Sequence, residues 1–122
     1  MTAYTGSIDL SELNTGFKYN MIAYENLAVG DVVKVDANTN KVLKVTANTD
    51  IAIGVAAAAT VSSYPVLVLG SGCLVQTVAS LTAGNIYAPA ATGALGSKGG
   101  QADQNFAVCV DGTTSLSKIR IL

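Results

Sequence analysis

The sequence predicts an all-β protein: a small β-barrel or sandwich built from two similar β-units, with an N-terminal arm. Three observations predict this class. Twelve glycines are scattered along the 122 residues, and glycine disfavours helix interiors. Apolar residues recur with a period of two or in short runs, which is the periodicity of strands. Polar turns rich in Asn, Thr and Gly bound most of these runs.

The clearest local element is a β-hairpin over residues 31–46. Val33 and Val35 alternate with polar residues, the same alternation returns over residues 42–46, and a polar turn at 37–40 joins the two runs. Further strands are predicted at 51–57, 66–69, 73–78, 86–88, 106–110 and 117–121. The glycine-rich residues 93–104 are predicted to form a long flexible connection.

The chain also resembles itself. Residues 27–33 are echoed by residues 81–87 at an offset of 54, and residues 52–55 and 66–69 are echoed at an offset of 53. The shared order indicates two copies of one β-unit, about 27–69 and 81–122. Neither copy buries its own sheet well alone, so residues 27–122 are expected to form one β-domain.

Residues 1–26 are predicted to form the arm. Four of the seven aromatic residues lie in this first fifth of the chain, namely Tyr4, Phe17, Tyr19 and Tyr24. Concentrated aromatic side chains suit a segment that docks on a partner. The alternative is that the segment adds an edge strand to the protein's own sheet. The sequence leaves both interpretations open.

Charge is scarce: 12% of residues are charged, against about 25% in typical soluble domains, and the net charge is −1. No basic cluster points to nucleic acid. The longest apolar run in the neutral stretch 51–97 covers about half of the ~20 residues that a membrane-spanning helix needs, so no membrane partner is expected. A surface with so little charge favours association. We therefore predict a homo-oligomer, in which other subunits cover much of that surface.

No catalytic constellation is present. The chain has no His, which removes Ser-His-Asp and Cys-His arrangements, and Cys73 and Cys109 lie too far apart in sequence for a C-x-x-C zinc unit. Both cysteines are expected to be buried free thiols. The beginning of the chain lacks the basic and apolar regions of a signal peptide, so synthesis in a cytoplasm is expected.

Residues 36–40 match the opening of a calcium loop, D-x-[DN]-x-[DN]. Lys41 stands where that loop has Gly, and Ala47 where it has its bidentate Glu. An Asx turn at Asp36 is therefore the better interpretation. The glycine clusters also lack the spacing of phosphate-binding loops. We expect no catalytic residue, no cofactor and no metal, and the protein is not expected to be an enzyme.

Residues 27–33, the turn at 36–41, and the runs 53–56 and 66–68 resemble the capsid cement, or head decoration, proteins of tailed bacteriophages. Residues 81–87 are similar to a second element of that family. The resemblance covers about residues 27–122, with Asn85 at an expected Asp and Asn40-Lys41 where a turn Gly is common. It implies a structural virion protein on the exterior of an icosahedral head, bound to the major capsid protein, assembled often as trimers, with no enzyme activity or cofactor.

Under this resemblance Tyr4, Phe17, Tyr19 and Tyr24 are expected to contact the capsid or a neighbouring subunit. Deleting residues 1–20 is then expected to abolish capsid binding and leave the β-domain folded. The alternative function is a glycan-binding or adhesion module displayed on a virus particle. Tyr64 and Tyr87 would be its aromatic platforms, although the chain has no Trp and neither tyrosine has an acidic neighbour.

Overall fold

The computed structural model describes residues 16–77, 81–97, 104–112 and 117–122. These residues form ten β-strands and a one-turn 3-10 helix, Ala91–Gly93. The strands are β1 (Lys18–Ile22), β2 (Val32–Val35), β3 (Val42–Lys44), β4 (Gly54–Ala56), β5 (Pro65–Leu69), β6 (Leu74–Thr77), β7 (Ile86–Ala90), β8 (Ala94–Ser97), β9 (Ala107–Gly112) and β10 (Ser117–Ile121). They build two antiparallel sheets, one of them curled into a half-barrel. The all-β prediction is confirmed.

The two sheets have the same topology. The first has the strand order β1-β5-β4-β2-β3, and the second has the order β6-β10-β9-β7-β8. Adding five to each strand number of the first sheet yields the second. The two halves of the chain therefore fold alike, and each sheet includes a strand, β1 or β6, that precedes the similar segments found in the sequence.

The turns that open β2 and β7 show the same equivalence in detail. Gly30 and Gly84 both adopt a positive φ, +85° and +87°, a conformation that glycine allows at no steric cost. The N–H of Gly30 donates to the carbonyl of Ala56, and the N–H of Gly84 donates to the carbonyl of Cys109, each at 2.8 Å. A left-handed glycine thus sets the entry into corresponding strands of both sheets.

The register corrects one of the sequence offsets. Val55 of β4 lies opposite Leu69 of β5, whereas the corresponding Val108 of β9 lies opposite Arg120 of β10. Leu69 therefore corresponds to Arg120, 51 residues later, and not to Leu122. The sequence comparison missed this shift because alternating apolar residues match equally well after a slip of two positions.

The described residues form two apolar clusters. One lies within the first sheet and contains Ala23, Leu27, Val33, Val42, Ala56, Val66 and Val68. Ala23 also bridges Val42, which brings the ends of the two edge strands of this sheet together. The other cluster lies between the sheets and contains Val32, Val45, Ala52, Val55, Cys73, Val75, Phe106, Ala107, Ile119 and Ile121. Adjacent residues of β2 therefore face different clusters, because strand side chains alternate between faces.

Two strands were not predicted outright from the sequence. Residues 18–22 had two interpretations, and residues 94–97 were predicted to be part of a loop. β1 pairs with β5 along its whole length, so residues 18–22 form the edge strand that was the alternative to a docking arm. β8 lies inside the predicted flexible connection 93–104 and pairs with β7, with Leu95 opposite Pro89. Ala and Gly have low strand propensity, so β8 owes its structure to this pairing, and the prediction of a loop over 94–97 was wrong.

Cys73 and Cys109 are both buried and free, as predicted. The thiol of Cys73 donates to the carbonyl of Phe17 at 3.5 Å, which ties the residue before β1 to the second sheet. In the described part of the chain no helix is long and apolar enough to cross a membrane.

Candidate interaction surface

Phe17 and Tyr19 lie at the beginning of β1. The N–H of Phe17 donates to the carbonyl of Ser71 at 3.0 Å, and the N–H of Gly70 donates to the carbonyl of Phe17 at 2.7 Å. Two backbone hydrogen bonds therefore hold Phe17 while its side chain stays 69% exposed. The exposed ring of Tyr19 lies against Gly70, where a Cβ would come within 2.6 Å of the ring.

Tyr24 lies just beyond the other end of β1. Its N–H donates to the carbonyl of Val42 at 2.7 Å, and its carbonyl accepts a hydrogen bond from the hydroxyl of Ser62 at 2.9 Å. Tyr64 belongs to the same end, because its carbonyl accepts the N–H of Ala23 at 2.9 Å. The side chains of Tyr24, Tyr64 and Val61 are all about half exposed or more.

The predicted contact residues therefore occupy two separate places. Phe17 and Tyr19 share one end of β1, and Tyr24 lies seven residues after Phe17, which is about 20 Å along an extended strand. Tyr4 lies outside the described residues. Tyr64 and Val61 were not among the predicted contact residues. Their only sequence signal is an apolar residue at each end of the short Ser-Ser turn, too weak to single them out.

Tyr87, one of the two aromatic platforms of the adhesion alternative, is buried. It faces the inner side of the second sheet, and its hydroxyl accepts the backbone N–H of Thr82 at 2.8 Å. It is not available as a platform. Tyr64 remains exposed.

The described carboxylates are engaged in local structure. Asp31 accepts a backbone hydrogen bond from the turn before β2, and Glu25 accepts one from β3. Asp36 accepts the N–H and the hydroxyl of Thr39, so its side chain stabilises the polar turn that the sequence predicted here. Among the residues placed by the structure, no group of three or more Cys, Asp or Glu could hold a metal ion.

A cleft of about 420 Å³ lies between the two sheets. Its lining is mostly apolar and includes Val32, Leu69 and Val75. The carboxylate in the lining is that of Asp31, whose Oδ2 accepts the N–H of Ala28 at 2.8 Å. The cleft therefore offers an apolar surface, and its acidic group is already hydrogen-bonded within the turn before β2.

Asp50 is the acidic residue with the most partners. Its Oδ2 accepts the N–H of Thr46 at 2.8 Å, the Thr46 hydroxyl at 3.1 Å, the N–H of Ala47 at 3.1 Å and the ammonium group of Lys34 at 2.9 Å. The backbone hydrogen bond from Thr46, followed by the hydrogen bond from Lys34, lowers the pKa of Asp50 from 3.8 to about 2. All of these donors favour the charged form.

Replacing Asp50 with Asn is expected to lower the free energy of unfolding by about 1–3 kcal/mol at pH 7, because charge-assisted hydrogen bonds are lost. The pKa of Asp50 is lower in the folded protein than in the unfolded chain. Its stabilisation is therefore complete above pH 3.8 and is lost as the pH falls towards 2. The difference between wild type and Asp50→Asn, measured by urea unfolding, should shrink over that window.

Asp111→Asn is the matched control for this measurement. The side chain of Asp111 is half exposed, and its ion pair with Lys118 spans 4.0 Å. Its replacement is expected to change the free energy of unfolding by less than about 0.5 kcal/mol. Equal losses for the two variants would contradict the assignment of Asp50 as the anchor of its turn.

No protein-family model matches the chain. No curated protein sequence matches it either.

Proposed function

We propose that the protein is a capsid cement, or head decoration, protein that binds the outside of an icosahedral phage head and stabilises it across the seams between capsomers. In this role it is a structural virion protein and not an enzyme, and it uses no cofactor. It binds the major capsid protein and associates with itself, with a trimer favoured. It is made in the host cytoplasm and resides on the capsid exterior.

The exposed aromatic side chains carry this proposal. Phe17, Tyr24 and Tyr64 project from backbone that is held by hydrogen bonds to neighbouring strands and turns. An aromatic side chain on a rigid backbone buries a large area on binding and loses little conformational entropy. Such anchors suit a protein that must attach to a large surface through few contacts. Many copies bound symmetrically to one head then act together.

The scarcity of charge and the family resemblance support the same function. With 12% charged residues, the surface is largely small, polar or apolar, which suits surface that becomes covered. The segments that resemble cement proteins include residues 27–33 and 53–56. They form the turn before β2 and parts of β2 and β4, whose counterparts in the second sheet are β7 and β9. The adhesion alternative is weaker, since the burial of Tyr87 leaves it with one of its two platforms.

The experiment that tests the proposal is direct binding to heads. Expanded heads that lack decoration, assembled from the major capsid protein of the genome that encodes this chain, are mixed with the purified protein and sedimented. We expect saturable binding at a fixed number of copies per head and a higher temperature of head disruption. Absence of binding at protein concentrations of about 10 µM, where an affinity of about −8 kcal/mol is detected, would overturn the proposal.

The aromatic contacts are tested separately with the double variant Phe17→Ser, Tyr24→Ser. Its affinity for heads is expected to fall about 100-fold, because two aromatic anchors contribute about 1–2 kcal/mol each. Ile51→Ser is the matched control, because Ile51 is 77% exposed and is not one of the proposed aromatic contacts. If the double variant binds heads as tightly as the control, the cement function stands but these residues are not its contacts.

A further inference from the structure

We infer that the outer face of the second sheet, formed by Ile86, Val108 and Val110, is a contact surface for a second copy of this chain. This set of three residues is called the outer patch below. The inference deepens the self-association in the proposed function, because it names the surface involved.

The first step is the comparison of corresponding positions in the two sheets. In the first sheet Val32 of β2 lies opposite Val55 of β4, and both are 1% exposed. In the second sheet the corresponding residues, Ile86 of β7 and Val108 of β9, lie opposite each other in the same way. Ile86 is 40% exposed and Val108 is half-buried.

The second step is to ask what covers these positions in the first sheet. Val32 and Val55 belong to the cluster between the sheets, where they pack with residues of β6 and β10 such as Val75 and Ile119. The outer face of the first sheet is therefore covered by a second β-sheet of the same topology. The outer patch lies on the corresponding strands of the second sheet, β7 and β9, where no described strand provides such a cover. It is extended by Val110, which is 49% exposed.

The third step concerns the side chains around the outer patch. Arg120 lies opposite Val108, at the position where the first sheet has the apolar Leu69. Asp111 and Lys118 form an ion pair of 4.0 Å at the neighbouring strand ends. The margin of the outer patch is thus polar, whereas its centre is apolar. An apolar centre with a polar rim is the composition of protein interfaces.

The occupant follows from these observations. In the same molecule the corresponding pair of strands is covered by apolar side chains of another sheet. A second copy exposes an apolar sheet face of the same kind, its own outer patch, and two-fold symmetry brings two such patches face to face. Lys118 and Asp111 at the rim have opposite charges and pair with each other, so they add little like-charge repulsion against a second copy. The net charge of −1 gives little long-range repulsion between copies.

The test is sedimentation velocity of the full chain between about 1 and 100 µM, a range that detects dissociation constants of the same order. The wild type is expected to associate, and Val110→Asp is expected to raise the dissociation constant at least about tenfold, since a carboxylate would be buried against apolar side chains. Ile51→Asp is the matched control, because Ile51 is 77% exposed and belongs neither to the outer patch nor to the end of the first sheet that carries Tyr24 and Tyr64. Its dissociation constant should equal that of the wild type.

Ile86→Thr is a second variant, which keeps a β-branched side chain on β7 and removes apolar surface from the patch. It is also expected to weaken association while the far-ultraviolet circular dichroism spectrum remains unchanged. If folded Ile86→Thr and Val110→Asp associate as the wild type does, the outer patch is refuted and self-association stands. A wild type that stays monomeric up to 100 µM overturns the inference, whereas head binding by that monomer would leave the cement function intact.

Discussion

Replacing Phe106 with Ala is expected to lower the free energy of unfolding by about 3–5 kcal/mol. Phe106 is 2% exposed and is the largest side chain in the cluster between the sheets. It packs with side chains from both halves of the chain, including Val32 and Ile119, so its removal leaves a cavity where the two sheets meet. Urea unfolding at one fixed protein concentration, followed by circular dichroism, measures the change.

Phe17→Ala is the matched control, because the chain has two phenylalanines and the side chain of Phe17 is mostly exposed. Its replacement is expected to change the free energy of unfolding by no more than about 0.5 kcal/mol. Equal effects at the two positions, or a Phe106→Ala loss below about 1 kcal/mol, would mean that the sheets do not depend on the cluster between them.

Deleting residues 1–20 is expected to destabilise the domain by about 5 kcal/mol or more, which approaches the whole stability of a small domain. The deletion removes Lys18, Tyr19 and Asn20, which pair with Leu69, Val68 and Leu67 of β5. β5 then loses most of its pairing with β1 and keeps only β4 as a complete neighbour, so the cluster within the first sheet opens at that edge. This result replaces the sequence-based expectation that the truncated β-domain stays folded.

Deleting residues 1–15 is the control, since it leaves β1 and all other described strands in place. Its thermal unfolding midpoint should stay within about 4–8 °C of the full chain, the shift that 1 kcal/mol produces in a domain of this size. If the two deletions unfold at the same temperature as the full chain, the pairing of β1 with β5 does not stabilise the fold. A truncation that tests head binding should therefore end at residue 15.

The local patterns of the sequence were sufficient for most of the strands. The alternation around Val33 and Val35 and the polar turn after Asp36 predicted the hairpin, and the structure places β2 and β3 there. β8 was missed because residues 94–97 have weak strand propensity and gain their structure by pairing with β7. The repeat itself indicates this strand, because a counterpart of β3 is expected between β7 and β9.

The sequence predicted which aromatic residues are exposed better than it predicted where they lie relative to one another. The density of aromatic residues near the beginning of the chain pointed to Phe17 and Tyr24, and both are exposed. Their separation along β1, and the presence of Tyr64 beside Tyr24, depend on hydrogen bonds between segments about 40 residues apart. The burial of Tyr87 was not predictable for a related reason, because a paired strand has two faces and only the packing of the sheet decides which of them is covered.

The sequence by itself determined that this protein is all-β, that it is poor in charge, and that it contains two similar strand patterns. These properties depend on residue type and on spacing along a few neighbouring residues. Only the tertiary structure decided which copies of the pattern become covered. Val32 and Ile86 occupy the same position in equivalent strands, yet one is buried and the other is exposed. The difference arises because the second sheet packs on the first, and a contact between distant segments leaves no periodicity in either one.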